Sequence, residues 1–180
     1  MQLVLVRHPQ PEVSPGICYG RSDMPASPAA IAQVASRLRE AGLPGTLPVY
    51  ASPLMRCAEL ARALAPSNSF DARLAEMDFG AWEMRPWDAI PRDEVDAWAA
   101  DLLHFRPGGG ENVLDVARRV AAFRDALRHT GHPGALVICH AGTMRLLSAL
   151  HAGGSVQEAA LRAASRPHRI GYGEVLTLKD

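Results

Sequence analysis

Arg7-His8, Arg56 and His140 are the residues of this sequence best able to do chemistry together. Each follows a short apolar stretch, at residues 3–6, 48–51 and 135–139, so each stands where a predicted strand stops. In open α/β sheets ligands collect beyond the carboxyl ends of strands, and three such ends would meet at one crevice. Two guanidiniums can hold the oxygens of a phosphoryl group in forked, charge-assisted hydrogen bonds. Imidazoles beside them supply a nucleophile or a proton donor. Taken singly, Arg7 reads as a surface charge, Arg56 as an exposed helix residue and His140 as a satisfied core histidine. Their joint placement is what points to anion chemistry.

A different chemistry is written in Cys139-His140-Ala141-Gly142-Thr143-Met144-Arg145, which has the Cys-x5-Arg spacing of a thiolate phosphatase loop between a strand and a helix. Ile138 and Leu146 do not fit that pattern, and the reading leaves Arg7-His8 unused. Seven histidines include no HExxH, and His129 with His132 reads as a helix end and loop, so no metal is expected. Cys18, Cys57 and Cys139 are odd in number and fall in no CxxC spacing, which predicts free thiols in a reducing compartment.

The elements that must position these groups are legible from period and punctuation. Residues 2–6 are a strand ending at Arg7-His8-Pro9, followed by a proline-rich loop over residues 9–28. Ser27-Pro28 is an N-cap and first-turn proline for a helix with Ile31, Val34, Ala35 and Leu38 on its apolar face, ended by Gly42. Ser52-Pro53 reads the same way, for a helix carrying Arg56 in its first turn and running to about Ala65. A short extended piece at 70–74 leads to an aromatic, proline-punctuated segment at 76–91 and a helix predicted over 93–105. Gly108-Gly109-Gly110 precedes a long helix with Val113, Val116, Ala117, Val120, Phe123 and Leu127 buried. A strand at 135–139 turns into a helix near Met144. Ser155 with Glu158 is a capping box, and residues 174–178 alternate as a last strand. The expectation is one domain over residues 1–180, of three α/β/α layers with a mostly parallel sheet.

Composition agrees. At 48% hydrophobic and 21% charged over 180 residues, the chain has ordinary globular usage. Nineteen Lys plus Arg balance nineteen Asp plus Glu, which removes the broad positive field of a nucleic-acid binder. No stretch approaches the ~18 apolar residues of a membrane span, and the opening apolar run is too short for a signal peptide. The expected location is the cytoplasm; oligomeric state is not legible.

Leu5-Val6-Arg7-His8 resembles the opening signature of the histidine phosphatase superfamily, which includes phosphoglycerate mutases. Ser52-Pro53-Leu54-Met55-Arg56-Cys57-Ala58 is similar to its second arginine motif, and Val137-Ile138-Cys139-His140-Ala141-Gly142 to its second histidine motif. Leu74-Ala75-Glu76-Met77-Asp78-Phe79-Gly80-Ala81-Trp82-Glu83 resembles the block with the acid/base glutamate, which falls on Glu76; Asp78 and Glu83 are rival acids. Residues 15–25 and 76–85 further resemble α-ribazole phosphatases.

The resemblance implies that His8 attacks phosphorus to give a phosphohistidine while Glu76 protonates the leaving group and then activates water. Arg7, Arg56 and His140, with amides near Ala141 and Gly142, would hold the phosphoryl oxygens. Tyr19, Gly20 and Arg21, with Trp82 or Trp87, would face the organic part of the substrate. The common pattern has an asparagine six residues after the first histidine; Ser14 stands there, so a phosphate-binding amide is either missing or replaced by the Ser14 hydroxyl. No cofactor is implied, and the partners are a small phosphomonoester and inorganic phosphate. The chain is too short for the extra helical segment of mutases, which favours hydrolysis. The alternatives are a broad-specificity or mutase-like enzyme, a thiolate phosphatase, or a phosphate-binding module without turnover.

Overall fold

In the computed structural model, which describes residues 1–167 and 169–179, strand β1 (Gln2–Arg7) sits inside a five-stranded sheet. Its alternation separates two cores. Leu3 and Leu5 face one layer of helices and Val4 and Val6 the other, all almost wholly buried. A strand covered on both faces must be apolar throughout, and β4 (Gly134–Cys139) is buried at every position. The sheet order is β3-β2-β4-β1-β5, with β2 at Val49–Ala51, β3 at Ser69–Phe70 and β5 at Val175–Leu178. Strands β1 to β4 are parallel; β5 runs antiparallel to β1 at an edge.

Helices α1 (Pro28–Glu40) and α2 (Met55–Leu64) cover one face, burying Val34, Ala35, Leu38, Leu60 and Ala61 against Val4, Val6 and Ile138. Helices α4 (Val113–His129), α5 (Ala141–His151) and α6 (Val156–Ala164) cover the other, where Phe123, Leu127, Met144 and Leu147 meet Leu3, Leu5 and Val137. The expected layered α/β/α architecture is thus present. Among the described residues no helix is long and apolar enough to cross a membrane.

Caps account for most helix boundaries. The Ser27 hydroxyl accepts from the Ala30 amide with Pro28 in the first turn, Asn112 caps α4 through the Asp115 amide, and Ser155 and Glu158 complete the capping box of α6. Two expectations are corrected. Ser52 does not cap α2, which begins at Met55 with Leu54 as its cap residue, so the Ser52 hydroxyl is released for another partner. Helix α3 (Arg92–Ala100) stops short of Phe105, because the Asp101 carboxylate accepts from the His104 amide and turns the chain. Segment 76–91 forms only short 3-10 turns, at Gly80–Trp82 and Trp87–Ala89.

Candidate active site

Strand register brings the reactive groups together. Arg7 on β1 pairs with Cys139 on β4, so the next residues, His8 and His140, leave the carboxyl ends of adjacent strands side by side with ring centroids 5.0 Å apart. The His8 amide donates to the Cys139 carbonyl at 3.0 Å, which fixes this exit. Ala51 pairs with Ile138, so Ser52 emerges on the neighbouring strand and its hydroxyl lies 2.8 Å from His140 Nε2. Arg56, in the first turn of α2, completes the set. Arg7, His8, Arg56, Glu76, His140, Ala141, Gly142 and Tyr19 all line one cavity of about 430 Å³.

His8 is 2% exposed, and its Nδ1 lies 2.7 Å from the Pro9 carbonyl oxygen. A carbonyl can only accept, so Nδ1 carries the proton and Nε2 keeps its lone pair. Burial, the Arg56 charge and, more weakly, Arg7 push the ring pKa down to about 3, against the opposing pull of the Pro9 carbonyl. His140, 1% exposed, is likewise driven well below the usual histidine range by burial first, then by its neighbour His8 and the nearby arginines. Both rings are neutral at physiological pH.

The sign of the resulting pH dependence follows. A histidine whose folded pKa lies below its unfolded value of about 6.5 contributes stability that is present above 6.5 and lost as the pH falls toward the folded value. For His8 that window is from about 6.5 down to about 3. Stability is expected to fall by about 1.4 kcal/mol per pH unit below pH 6 for each such histidine. Urea midpoints measured from pH 7 to pH 5 check this. His8→Gln should remove one histidine's share of the slope, and an unchanged slope would contradict a buried neutral His8.

Arg56 is fully buried, with Nη1 donating to the Ser22 carbonyl at 2.8 Å and Nη2 to the Gly20 carbonyl at 2.6 Å. Arg7 donates Nη1 to the Ile170 carbonyl and lies 4.0 Å above the Tyr172 ring centroid. Among the described residues neither guanidinium has a carboxylate partner, and the Nε of each is buried without an acceptor. A buried Arg56 and a partly buried Arg7 without a carboxylate partner are costly, and an anion in the cavity they line offsets that cost.

Glu76 lines the same cavity. Its Oε2 accepts from the Gly142 amide at 3.0 Å and its Oε1 from the Met77 amide at 3.1 Å. A Cβ on Gly142 would stand 2.4 Å from Glu76 Oε1, so glycine is required for this approach. Arg119 of α4 pins the backbone before it, donating to the carbonyls of Arg73, Ala75 and Glu76 while paired with Glu111 at 2.8 Å. Of the three carboxylates weighed from the sequence, Glu76 alone lines the cavity. Asp78 accepts from the Gly80 amide, and Glu83 from loop amides.

The other expected contacts divide. Tyr19 lines the cavity, with its ring 5.5 Å from Arg56 Cζ and its hydroxyl 2.7 Å from that of Tyr172. Gly20 does not line it and serves Arg56 through its carbonyl instead. Ser14 and Arg21 are exposed and also stand outside the lining, Arg21 lying 3.9 Å from Asp78. The Gly142 amide, expected on a phosphoryl oxygen, is held by Glu76. Trp82 is a core residue, 1% exposed, whose Nε1 donates to Glu94 at 2.6 Å; Trp87 does reach the cavity. Sequence reasoning missed Tyr172, Arg119 and the true role of Ser52. The Cys139-x5-Arg145 stretch is not built as a thiolate loop. Cys139 is fully buried, its thiol raised well above the usual range by burial first, and Arg145 donates to the carbonyls of Ala163 and Arg166. Among the described residues no group of three or more His, Cys, Asp or Glu side chains is placed to hold a metal ion.

The chain is similar to several known proteins. A bifunctional protein of Mycobacterium tuberculosis is 37% identical over 170 residues, covering 86% of this chain; the chain spans only 46% of that protein's length. The adenosylcobalamin/α-ribazole phosphatase of Escherichia coli K12 is 28% identical over 164 residues, with 83% of this chain and 78% of that protein covered. Among solved structures, the α-ribazole phosphatase of Shigella flexneri superposes with a TM-score of 0.82 at 25% identity, covering 99% of this chain and 90% of that one. A mycobacterial glucosyl-3-phosphoglycerate phosphatase, at 24% identity and a TM-score of 0.79 over 99% of this chain and 89% of that one, shares the fold. The sequence profile of the histidine phosphatase superfamily (branch 1) matches residues 3–166, and with His8, His140, Arg7 and Arg56 lining one cavity, the chain belongs to that superfamily.

Proposed function

We propose that the chain is a phosphomonoester hydrolase acting through a phosphohistidine on His8. The observation that carries this reading is a neutral imidazole, its Nε2 lone pair kept available, in one cavity with two guanidiniums, Arg56 buried and Arg7 partly buried, that have no carboxylate partner among the described residues. His8 Nε2 attacks phosphorus and the P–O bond to the organic group breaks, while Glu76 delivers a proton to the departing oxygen. Arg7 and Arg56 hold the equatorial oxygens, His140 lies beside His8, and the first turn of α5 adds positive potential. Water then gives its proton to Glu76 and attacks phosphorus, releasing phosphate and regenerating both groups. The guanidiniums supply the positive charge, so the reaction runs without a metal.

The substrate in this reading carries a planar apolar group. Beyond the catalytic residues the cavity is walled by Met77, Phe79, Trp87, Trp98 and Leu102, with Trp87 and Trp98 stacked at 6.3 Å and 6°. Such a wall suits a base or aryl ring, and the relatives named for α-ribazole phosphatase activity support α-ribazole 5′-phosphate as the first substrate to test. Burying some 80–100 Å² of ring surface at about 25 cal/mol per Å² favours such an ester by roughly 30- to 70-fold over a small hydrophilic one. A panel of α-ribazole 5′-phosphate, an aryl phosphate and 3-phosphoglycerate, run with and without chelator, tests both points. kcat/KM should fall in that order and be insensitive to chelator. Trp87→Ala should cost the aromatic esters about tenfold, chiefly in KM. Preference for 3-phosphoglycerate, or strong chelator inhibition, would overturn the respective claim.

A further inference from the structure

We propose that Glu83 is a positioning residue for Arg56, acting through an ion pair bridged by one peptide group. The chain at Gly20, Arg21 and Ser22 turns three successive amides onto the Glu83 carboxylate: Gly20 N at 3.0 Å and Ser22 N at 3.1 Å from Oε2, and Arg21 N at 2.9 Å from Oε1. The Ser22 hydroxyl and the Phe79 amide complete its shell. Successive amides in such a turn make an anion-binding concavity, and here the anion is part of the chain. Burial alone would raise the Glu83 pKa, but these hydrogen bonds outweigh it and hold the group below the ordinary carboxylate range, so it is charged at neutral pH.

The outer side of the same turn carries the consequence. The amide N–H of Arg21 and the carbonyl of Gly20 belong to one peptide group. Its N–H end points to Glu83 at 2.9 Å, and its oxygen accepts from Arg56 Nη2 at 2.6 Å. A carboxylate on the N–H end polarises the amide and strengthens its oxygen as an acceptor for the cation. Arg56 Nη1 meanwhile takes the Ser22 carbonyl two residues on, so both outer nitrogens are tied to the turn that Glu83 organises. The guanidinium is thereby locked in plane at the cavity without a carboxylate touching it. A direct ion pair would have consumed the charge an incoming anion needs. Gly20 permits the arrangement: a Cβ there would lie 2.0 Å from the Met77 carbonyl oxygen and 3.0 Å from Glu83 Oε1.

The proposal rests on Arg56 being an anion-binding group, and its test does not depend on turnover. Inorganic phosphate is titrated against wild type, Glu83→Gln, Arg56→Ala and the double variant, with the Arg56 Nε–H resonance followed in the ligand-free proteins. Glu83→Gln is expected to shift or broaden that resonance and to weaken phosphate by about tenfold while Arg56 is present. In the Arg56→Ala background it should add less than about twofold, because the residue through which it acts is gone. A carboxylate that merely supported the loop would weaken phosphate equally in both backgrounds. That result, or an unmoved Arg56 resonance, overturns the proposal. Should Glu83→Gln fail to fold, Glu83→Asp keeps the charge but draws it back by one methylene, and the same cycle applies. If phosphate fails to bind the wild type, the reading of the cavity as a phosphoryl site fails, and the resonance alone decides the Glu83–Arg56 link.

Discussion

Replacing His8 by glutamine should lower kcat by about 10⁴-fold or more toward every phosphomonoester, while weakening inorganic phosphate by no more than about tenfold. The asymmetry follows from the division of labour in the cavity. Arg7 and Arg56 are held by backbone carbonyls that do not involve His8, so the anion retains its two cations when the imidazole is gone. What disappears is the Nε2 lone pair that the Nδ1 contact with the Pro9 carbonyl keeps available. Wild-type protein quenched in alkali during turnover should carry one acid-labile, base-stable phosphoryl group, as expected for a P–N bond, and His8→Gln should carry none. Cys139→Ser is the control for the competing thiolate chemistry. A fully buried thiol whose pKa is raised far above neutral is a poor nucleophile, so that variant should turn over within about threefold of wild type. Loss of activity in Cys139→Ser with retention in His8→Gln would reverse the assignment.

The parts of this site that were legible in the sequence are those fixed by where a strand ends. The apolar runs before Arg7-His8 and His140 stop abruptly, and the structure turns out of the sheet at those points. Register is a different quantity. Nothing along the chain states that Arg7 pairs with Cys139, yet that pairing sets the two imidazoles 5.0 Å apart. Ser27-Pro28 and Ser52-Pro53 are locally the same signal, and only the first is a cap. The second opens onto a neighbouring strand end, where a buried imidazole nitrogen competes for the hydroxyl. Ser14 was placed by counting from His8. The proline-rich loop instead passes through a bridge between Pro11 and Ala26 and leaves Ser14 in solvent. Tyr172 was invisible for a further reason. It is one aromatic residue between two glycines, and its value arises from stacking on Arg7 and touching Tyr19, both more than 150 residues earlier in the chain.

Glu76→Gln separates proton transfer from phosphoryl transfer, and its expected effect depends on the leaving group. An alkoxide departs poorly without a proton, so esters of simple alcohols should lose about 10² to 10⁴ in the first step. Dinitrophenolate is stable as an anion, so the same step with 2,4-dinitrophenyl phosphate should slow by no more than about tenfold. The second step differs, because its attacking water needs a base whichever ester formed the phosphohistidine. With dinitrophenyl phosphate the variant should therefore release one equivalent of dinitrophenolate rapidly and then turn over slowly, whereas alkyl esters should show no burst. The substitution is close in shape, and the geometry around it limits collateral change. Gln keeps one acceptor oxygen for one of the two amides, of Met77 and Gly142, that hold Glu76, and Arg119 fixes the backbone through carbonyls that the substitution leaves untouched. Equal losses for alkyl and dinitrophenyl esters, with no burst, would mean that Glu76 shapes the cavity without moving protons. The acid would then have to come from elsewhere, and Asp78 and Glu83 are poorly placed, since neither lines the cavity and each is committed to backbone amides.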